Sequence, residues 1–275
     1  MTTTTVTEPA AAARPGTTAR SAGFRRDLSS VALRAIRLTW REPEAWVSAI
    51  FIPVFFYIVN VGSLQRFVEQ GAGTTFSYKA FQLPTSIIFA VTGVSRAGSV
   101  VTDIQGGYFD RLLLTPLRRV TLLLGLMIAD LVLVISLTVP VVILGLATGV
   151  RFATGVPGLL AFMLISGAWG LVFTGFPYAI ALKTANASAV NSSFLLFFPF
   201  AFLTTAYLPQ SALTGWLGTV STYNPVTYLL AALRSIVITG WDGATIGKGL
   251  LAIAGVGVVS IGLALAALRG RLKQS

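Results

Sequence analysis

The chain has 275 residues, 55% of them hydrophobic and only 11% charged, whereas a soluble domain carries roughly 25% charged residues, so lipid is the natural solvent for most of its surface. Cysteine and histidine are both absent, which excludes thiolate nucleophiles, disulfides, Cys/His zinc sites and the commonest general base. The net charge of +11 sits at the ends of apolar segments, as topogenic charge on cytoplasmic connections does, and no nucleic-acid partner is expected.

Residues 1–23 (MTTTTVTEPAAAARPGTTARSAG) are small, polar and of low complexity; they cannot bury enough apolar surface to order, and a disordered tail is expected. No signal peptide is expected either, because the first long apolar run begins near Trp46 behind a basic stretch without a compact n-region and h-region. Over residues 24–45, Arg26, Arg34, Arg37 and Arg41 recur on one helical face while Leu28, Val31, Ala35 and Leu38 take another. That pattern predicts an amphipathic helix lying on the membrane surface, with lipid as its partner.

A membrane span needs about 20 apolar residues, and six stretches qualify: 46–64, 81–102, 120–148, 158–182, 191–208 and 249–268. The third is long enough to tilt or break, with Pro140 the natural place. Fourteen Lys and Arg fall in the tail, the surface helix, the 103–119 and 183–190 connections and the C-terminus, against five in the remaining connections. That asymmetry places both termini in the cytoplasm. Residues 226–239 (VTYLLAALRSIVIT) are apolar but too short to cross, and they contain Arg234. Together with 211–220 (SALTGWLGTV) they are expected as short re-entrant or interfacial helices on the outer side, with Trp216, Tyr223, Tyr228 and Trp241 in an interfacial belt. The predicted fold is an all-α membrane protein: six transmembrane helices, an N-terminal interfacial helix, a short cytoplasmic helix between spans two and three, and re-entrant helices between spans five and six.

Two charges lie at membrane depth. Arg96 stands near the cytoplasmic end of the second span and Asp130 ten residues into the third, and intramembrane charges on consecutive antiparallel spans can meet. The alternative is that Arg96 snorkels to the interface and Asp130 is protonated or hydrogen-bonded at a helix contact.

The connection DIQGGYFDRLLLTPLRRVTLLLG, residues 103–125, has a Gly-Gly break, then Tyr108, Phe109 and Leu113 beside Asp110 and Arg111, and a stop at Pro116. It reads as a short amphipathic helix offering aromatic and aliphatic side chains to a partner, or else as a solvated loop helix with none. In the fifth span Phe194, Phe197, Phe198, Phe202 and Tyr207 surround Pro199; they are either lipid-facing bulk or one wall of a pathway for an amphipathic substrate, with Pro199 as a bend point. In the last span Gly255, Gly257, Ser260 and Gly262 are expected to mark close helix packing.

The pattern Asp103, Gly107, Asp110-Arg111-Leu112 and Pro116-Leu117-Arg118-Arg119 resembles the cytoplasmic motif of ABC-2 type permeases, above all the daunorubicin-resistance-like drug exporters. Asn224-Pro225-Val226-Thr227-Tyr228, followed by Ala231 and Leu233-Arg234, resembles the NP-x-x-Y … A-x-R stretch that those permeases carry outside, between their last two spans. The resemblance covers roughly residues 28–272. It departs at Val101-Thr102-Asp103-Ile104-Gln105, where many relatives have a Glu-Arg-Glu-like run and only Asp103 is acidic here. Exporters of lipid-linked polysaccharides often begin with a basic Tyr-Arg-rich segment; Trp40-Arg41-Glu42-Pro43-Glu44-Ala45-Trp46 stands in its place, which favours the drug or lipid branch, with polysaccharide export as the alternative.

The resemblance implies that residues 46–272 form an ABC-2 transmembrane domain and that two permease copies, identical or related, form the channel. It also implies that two ATP-binding subunits, carrying the ATP and magnesium, seat the short cytoplasmic helix through Asp103, Gly107, Tyr108, Phe109, Asp110, Arg111, Leu113 and Pro116. No cofactor is expected in this chain itself, since it contains no G-x-x-x-x-G-K-[ST] phosphate loop; GATIGKG at 243–249 has the wrong spacing. An intramembrane enzyme would want clustered acids, a His or a paired nucleophile, and a secondary transporter several intramembrane ionisable groups and an inverted repeat; neither pattern is present. Arg outnumbers Lys sixteen to four, which suggests the inner membrane of a high-GC bacterium.

Overall fold

In an apolar solvent each backbone N–H must find its partner within its own segment, so the charge-free runs of Leu, Ile, Val and Phe fold as helices. The computed structural model describes Leu33 and residues 43–72, 76–92, 94–107 and 119–271, with no strand among them. The tail 1–23, most of the surface helix over 24–45 and the stretch 108–118 lie outside the described residues.

Helix α1 (Pro43–Ala72) opens on Pro43, whose fixed φ and missing N–H suit a first helical turn. Residues 43–45 therefore belong to this helix and not to the surface helix. At its far end Gln65 Nε2 donates to both oxygens of Glu69, at 3.3 and 3.2 Å. Glu69 Oε1 in turn accepts the backbone N–H of Tyr78 at 2.9 Å, which carries the helix past residue 64 and caps the start of α2 (Tyr78–Thr92).

The second expected span is two helices: α2 ends at Thr92 and α3 (Ala97–Gln105) begins after the non-helical residues 94–96. Ser95 Oγ, accepting the Ala97 N–H at 3.1 Å, offers the local alternative that serine commonly gives the backbone. By contrast α4 (Arg119–Ala147) runs unbroken through Pro140, so of a tilt or a break there, the break does not occur. Where no water can satisfy freed carbonyls, continuing a helix past a proline costs less than ending it.

Helices α5 (Gly155–Phe173) and α6 (Gly175–Thr184) form one crossing that bends at Thr174. The chain then makes α7 (Ala187–Ser192), a 3₁₀ turn (Ser193–Leu196) and α8 (Phe197–Phe202), and residues 203–208 are not helical. The expected continuous span 191–208 is thus a broken, shorter element. Pro199 cannot donate to the carbonyl four residues back, at Leu195, and the helix tightens into the 3₁₀ turn at that point. After it come α9 (Gly215–Tyr223) and α10 (Pro225–Arg234), the latter continued by a π turn (Ser235–Thr239), and α11 (Gly243–Arg271) closes the fold.

Among the described residues, five stretches are long and apolar enough to cross a membrane: Ala49–Gly71, Tyr78–Gln105, Leu123–Ala147, Gly155–Thr184 and Gly243–Arg271. Helices α2 and α5 hold the centre, α2 packing on α1, α4, α5 and α10, and α5 on α4 and α11. Leu83, Ile87, Phe162, Trp169, Leu229 and Leu233 are buried between them. A second cluster of Val101, Met127, Tyr178, Ala264 and Leu268 fills the other end. On the outermost helices Phe51, Phe55 and Phe67 of α1, and Leu251 and Val258 of α11, are exposed, a surface that lipid accommodates and water does not.

Alternating helix directions gather the connections at two ends. At one, Tyr57 Oη and Thr148 Oγ1 lie 3.0 Å apart, Lys79 Nζ donates to Thr148 O at 3.4 Å, and the Ala153 N–H donates to Val237 O at 3.0 Å. At the other, Gln105 Nε2 donates to Ala185 O at 2.9 Å and Arg271 Nη1 to Leu182 O at 3.3 Å.

Candidate functional site

The interruption of α2–α3 frees backbone groups at membrane depth, where each must be satisfied by protein. Asp130 on α4 supplies the answer. Fully buried, its Oδ1 accepts the backbone N–H of Arg96 at 3.2 Å, and its Oδ2 accepts the hydroxyl of Tyr178 on α6 at 2.7 Å. Asp130 thus meets Arg96 at its backbone, gripping the entry to α3, and forms the hydrogen-bonded helix contact that was the alternative to a pairing of the two charges. One turn away Trp169 Nε1 donates to Thr92 Oγ1 at 2.9 Å, closing the end of α2 against α5. A carboxyl group engaged on both oxygens is a fixed joint, and a typical intramolecular hydrogen bond contributes about 0.5–1.5 kcal/mol.

Below this joint α3 runs into the 103–119 connection. Gly106 N–H donates to Thr102 O at 2.9 Å and Gly107 N–H to Ile104 O at 3.1 Å. Gly107 then takes φ +68°, a left-handed residue that ends the helix and that a side chain would strain. Asp103 lies half-buried in the last turn of α3. Tyr108, Phe109, Asp110, Arg111, Leu113 and Pro116 lie outside the described residues.

The second break, after α8, is pinned by the residues of the outer motif. Asn224 caps α10 through Oδ1, which accepts the Val226 N–H at 3.0 Å, and its Nδ2 donates to the carbonyls of Phe200 and Leu203, each at 2.9 Å. One side chain thus closes the start of one helix and the end of another. Pro225 occupies the first helical position, and Tyr228 Oη donates to Thr222 O at 2.6 Å.

Arg234, only 9% exposed, ends the helix. Its Nε donates to Phe81 O at 3.1 Å, Nη1 to Thr205 Oγ1 at 2.9 Å, and Nη2 to Thr85 Oγ1 at 3.0 Å, Thr205 O at 2.8 Å and Ala206 O at 3.4 Å. The Phe81 ring lies 3.5 Å from the guanidinium carbon. The unwound carbonyls after α8 thus find their donors in a guanidinium fork, which Arg alone presents in this planar form. The spacing of the motif points to Arg234 but not to Phe81, Thr85 or Thr205, which join it only through tertiary packing.

The aromatic residues of the fifth segment divide. Phe197 is buried, edge-on to Phe89 and Phe173 with centroids 5.6 and 5.5 Å away, so it belongs to the core and not to an open wall. Phe198 and Phe202 stack at 5.4 Å, and Phe202 and Phe56 each approach Tyr207, at 6.0 and 6.3 Å; they form a half-exposed aromatic ribbon beside α1. Pro199 sits within α8, and the Phe194 side chain lies outside the described residues. In the last span Ser260 Oγ donates to Val172 O, and a Cβ on Gly257 would meet Val172 at 3.0 Å. Gly255 and Gly262 have no neighbour within 4 Å of that position, and do not mark packing within the chain.

Residues 26–238 match the family model described as ABC-2 type transporter. The chain is similar to a daunorubicin resistance ABC transporter permease protein of Streptomyces coeruleorubidus, 24% identical over 230 residues that make up 80% of each chain. It is similar also to a doxorubicin resistance ABC transporter permease protein of Mycobacterium tuberculosis, 24% identical over 198 residues, 70% of each chain. A transport permease of Cyanophora paradoxa is 25% identical over 202 residues, 70% of this chain and 68% of its own.

Proposed function

The chain belongs to the ABC-2 type transporter family, and from that premise we propose that it is the membrane-spanning subunit of a bacterial ATP-driven exporter that moves an amphipathic drug-like or lipid substrate out of the cytoplasm. Separate ATP-binding subunits hydrolyse the ATP, and two permease copies enclose the pathway. Both termini are cytoplasmic. The broken segment α7–α8, with residues 203–208, completes six crossings, and α9 and α10 re-enter from outside. Support for this orientation comes from the charge count along the sequence, fourteen Lys and Arg in the tail, the surface helix, the 103–119 and 183–190 connections and the C-terminus against five in the remaining connections.

The observation that carries the reading is the grip of Asp130 on the entry to α3. A soluble motor can drive membrane helices only through a rigid contact, and α3 continues directly into the longest cytoplasmic connection, over 103–119. Its upper end is locked to α4 and α6 by one carboxylate, so a push on the connection is delivered to three helices and not absorbed by a loose hinge. The half-exposed aromatic ribbon of Phe56, Phe198, Phe202 and Tyr207 suits planar amphipathic molecules, and the two drug-resistance relatives named above favour an anthracycline-like class.

Inverted vesicles containing this chain and an ATP-binding partner should accumulate doxorubicin when ATP is supplied and not when the partner is omitted. Equal accumulation without partner or ATP would overturn the reading and return a secondary transporter to consideration.

A further inference from the structure

Between the unwound residues after α8, helix α10 and the first turns of α11 lies a pocket of about 420 Å³. Arg234 stands at its base and Lys248 at its mouth, with Thr205, Gln210 and Thr227 among its walls, and no Asp or Glu lines it. Every partner of the Arg234 guanidinium is neutral: carbonyls, hydroxyls and the Phe81 ring. Such groups orient a cation and spread its charge without neutralising it, and a desolvated charge favours an opposite one nearby. Thr227 is among the lining residues, and its Oγ1 is buried with no hydrogen-bond partner. The acid nearest in sequence, Asp242, is turned to its own helix start, where Oδ1 accepts the N–H groups of Ala244 and Thr245 at 3.0 and 3.2 Å and Oδ2 accepts the Thr245 hydroxyl at 2.5 Å.

A guanidinium and an ammonium on the lining of one space, with a hydroxyl-bearing wall and no acid on that lining, the nearby Asp242 being engaged at its own helix start, select an oxyanion. We propose that this pocket binds a phosphoryl group, with Arg234 at its base, Lys248 closing over it and Thr227 donating from the wall. The volume exceeds that of inorganic phosphate and admits a small substituent, so the group is either a phospholipid headgroup or a soluble phosphate ester. Neither transport nor a partner subunit enters this inference, and it is tested on the purified full chain.

The chain in neutral detergent is unfolded thermally with increasing inorganic phosphate, against sodium chloride at matched ionic strength, and with short-chain phosphatidylglycerol against short-chain phosphatidylcholine. The Tm should rise saturably with at least one phosphoryl probe, and by more with phosphatidylglycerol than with phosphatidylcholine. Stabilisation by the lipid at concentrations where inorganic phosphate has no effect assigns the site to a headgroup; the reverse assigns it to a soluble phosphate. Lys248 is exposed, so Lys248→Glu should fold as the parent does, yet raise the half-saturating concentration at least tenfold; Thr227→Val should raise it several-fold. Absence of a saturable shift with both probes overturns the proposal, as does an undiminished shift in Lys248→Glu.

Discussion

The hydroxyl of Tyr178 lies 2.7 Å from Asp130 Oδ2, with both side chains fully buried, so one phenol on α6 fixes the carboxylate that holds the start of α3. The contact joins helices far apart in the chain and sits where α3 departs from α2.

Removing that hydroxyl leaves Oδ2 buried without its donor. Tyr178→Phe should therefore lower stability by about 1–3 kcal/mol, read as a drop in detergent Tm with the spans still inserted. Asp130→Leu removes the acceptor as well, and the double variant should cost less than the sum of the single ones, because the two residues form one unit. Strict additivity would mean that the hydroxyl and carboxylate do not interact. In export assays Asp130→Leu should lose activity beyond its loss of protein, since the joint at the start of α3 is then free.

At the second break Arg234→Met would strip the guanidinium donor from the Thr205 carbonyl and hydroxyl, while Ala206 O keeps the Thr85 hydroxyl at 3.1 Å; Asn224→Ala strips its donor from the carbonyls of Phe200 and Leu203. Each buried acceptor left unmatched costs about 1–3 kcal/mol. Both variants should be destabilised, Arg234→Met the more, and protease should find a new cut within 203–213. Arg234→Lys should recover little, because an ammonium cannot reproduce the planar fork. A fully stable Arg234→Met would show that the unwound carbonyls are satisfied by other means.

Where α6 meets α11, a Cβ on Gly175 would come within 2.6 Å of the Ser260 carbonyl carbon and 2.8 Å of its oxygen, whereas one on Gly255 would meet nothing within 4 Å. Backbone cannot swing aside as a side chain can, so Gly175→Ala should cost about 1–3 kcal/mol through overpacking. Gly255→Ala should be neutral or slightly stabilising through helix propensity. Thermal unfolding of the two variants side by side makes the comparison, and equal Tm values would place α6 and α11 farther apart than they stand here.

The spans were legible because hydropathy is a local property: a charge-free run of twenty residues has few alternatives to a helix. The breaks were not, because their causes lie elsewhere in the chain. Asp130 could be singled out as an intramembrane acid, but its partner Tyr178 follows from how α4 and α6 pack, and Thr205 meets Arg234 only after residues 203–208 have unwound. Pro140 shows the opposite case: its local signal admits a break, yet its apolar surroundings keep the helix whole. The division of the small residues in α11 was available from periodicity, since the buried positions Gly249, Ile253, Gly257, Ser260, Ala264 and Leu268 recur every three or four residues and skip Gly255 and Gly262.

The link from α3 to the connection beyond it tests the proposed coupling most directly. Gly107 turns the chain out of the helix at φ +68°, where a β-branched side chain is strained by at least about 1–2 kcal/mol. Gly107→Val should misdirect the segment that follows without touching the spans, while Gly98→Ala, on the same helix with nothing within 4 Å of the added Cβ, should export normally. Phe109→Asp and Leu113→Asp place charge on the side chains expected to anchor a partner, and buried aromatic and aliphatic anchors dominate such contacts. These two variants should therefore lose the ATP-binding subunit in co-purification, whereas Gly107→Val should keep part of that association yet export poorly. The pattern to look for is membrane insertion unchanged in all four, with association lost in two and transport lost in three. Full export with normal association in Phe109→Asp and Leu113→Asp would make the connection a solvated loop with no coupling role, and the grip of Asp130 on α3 would then serve stability alone.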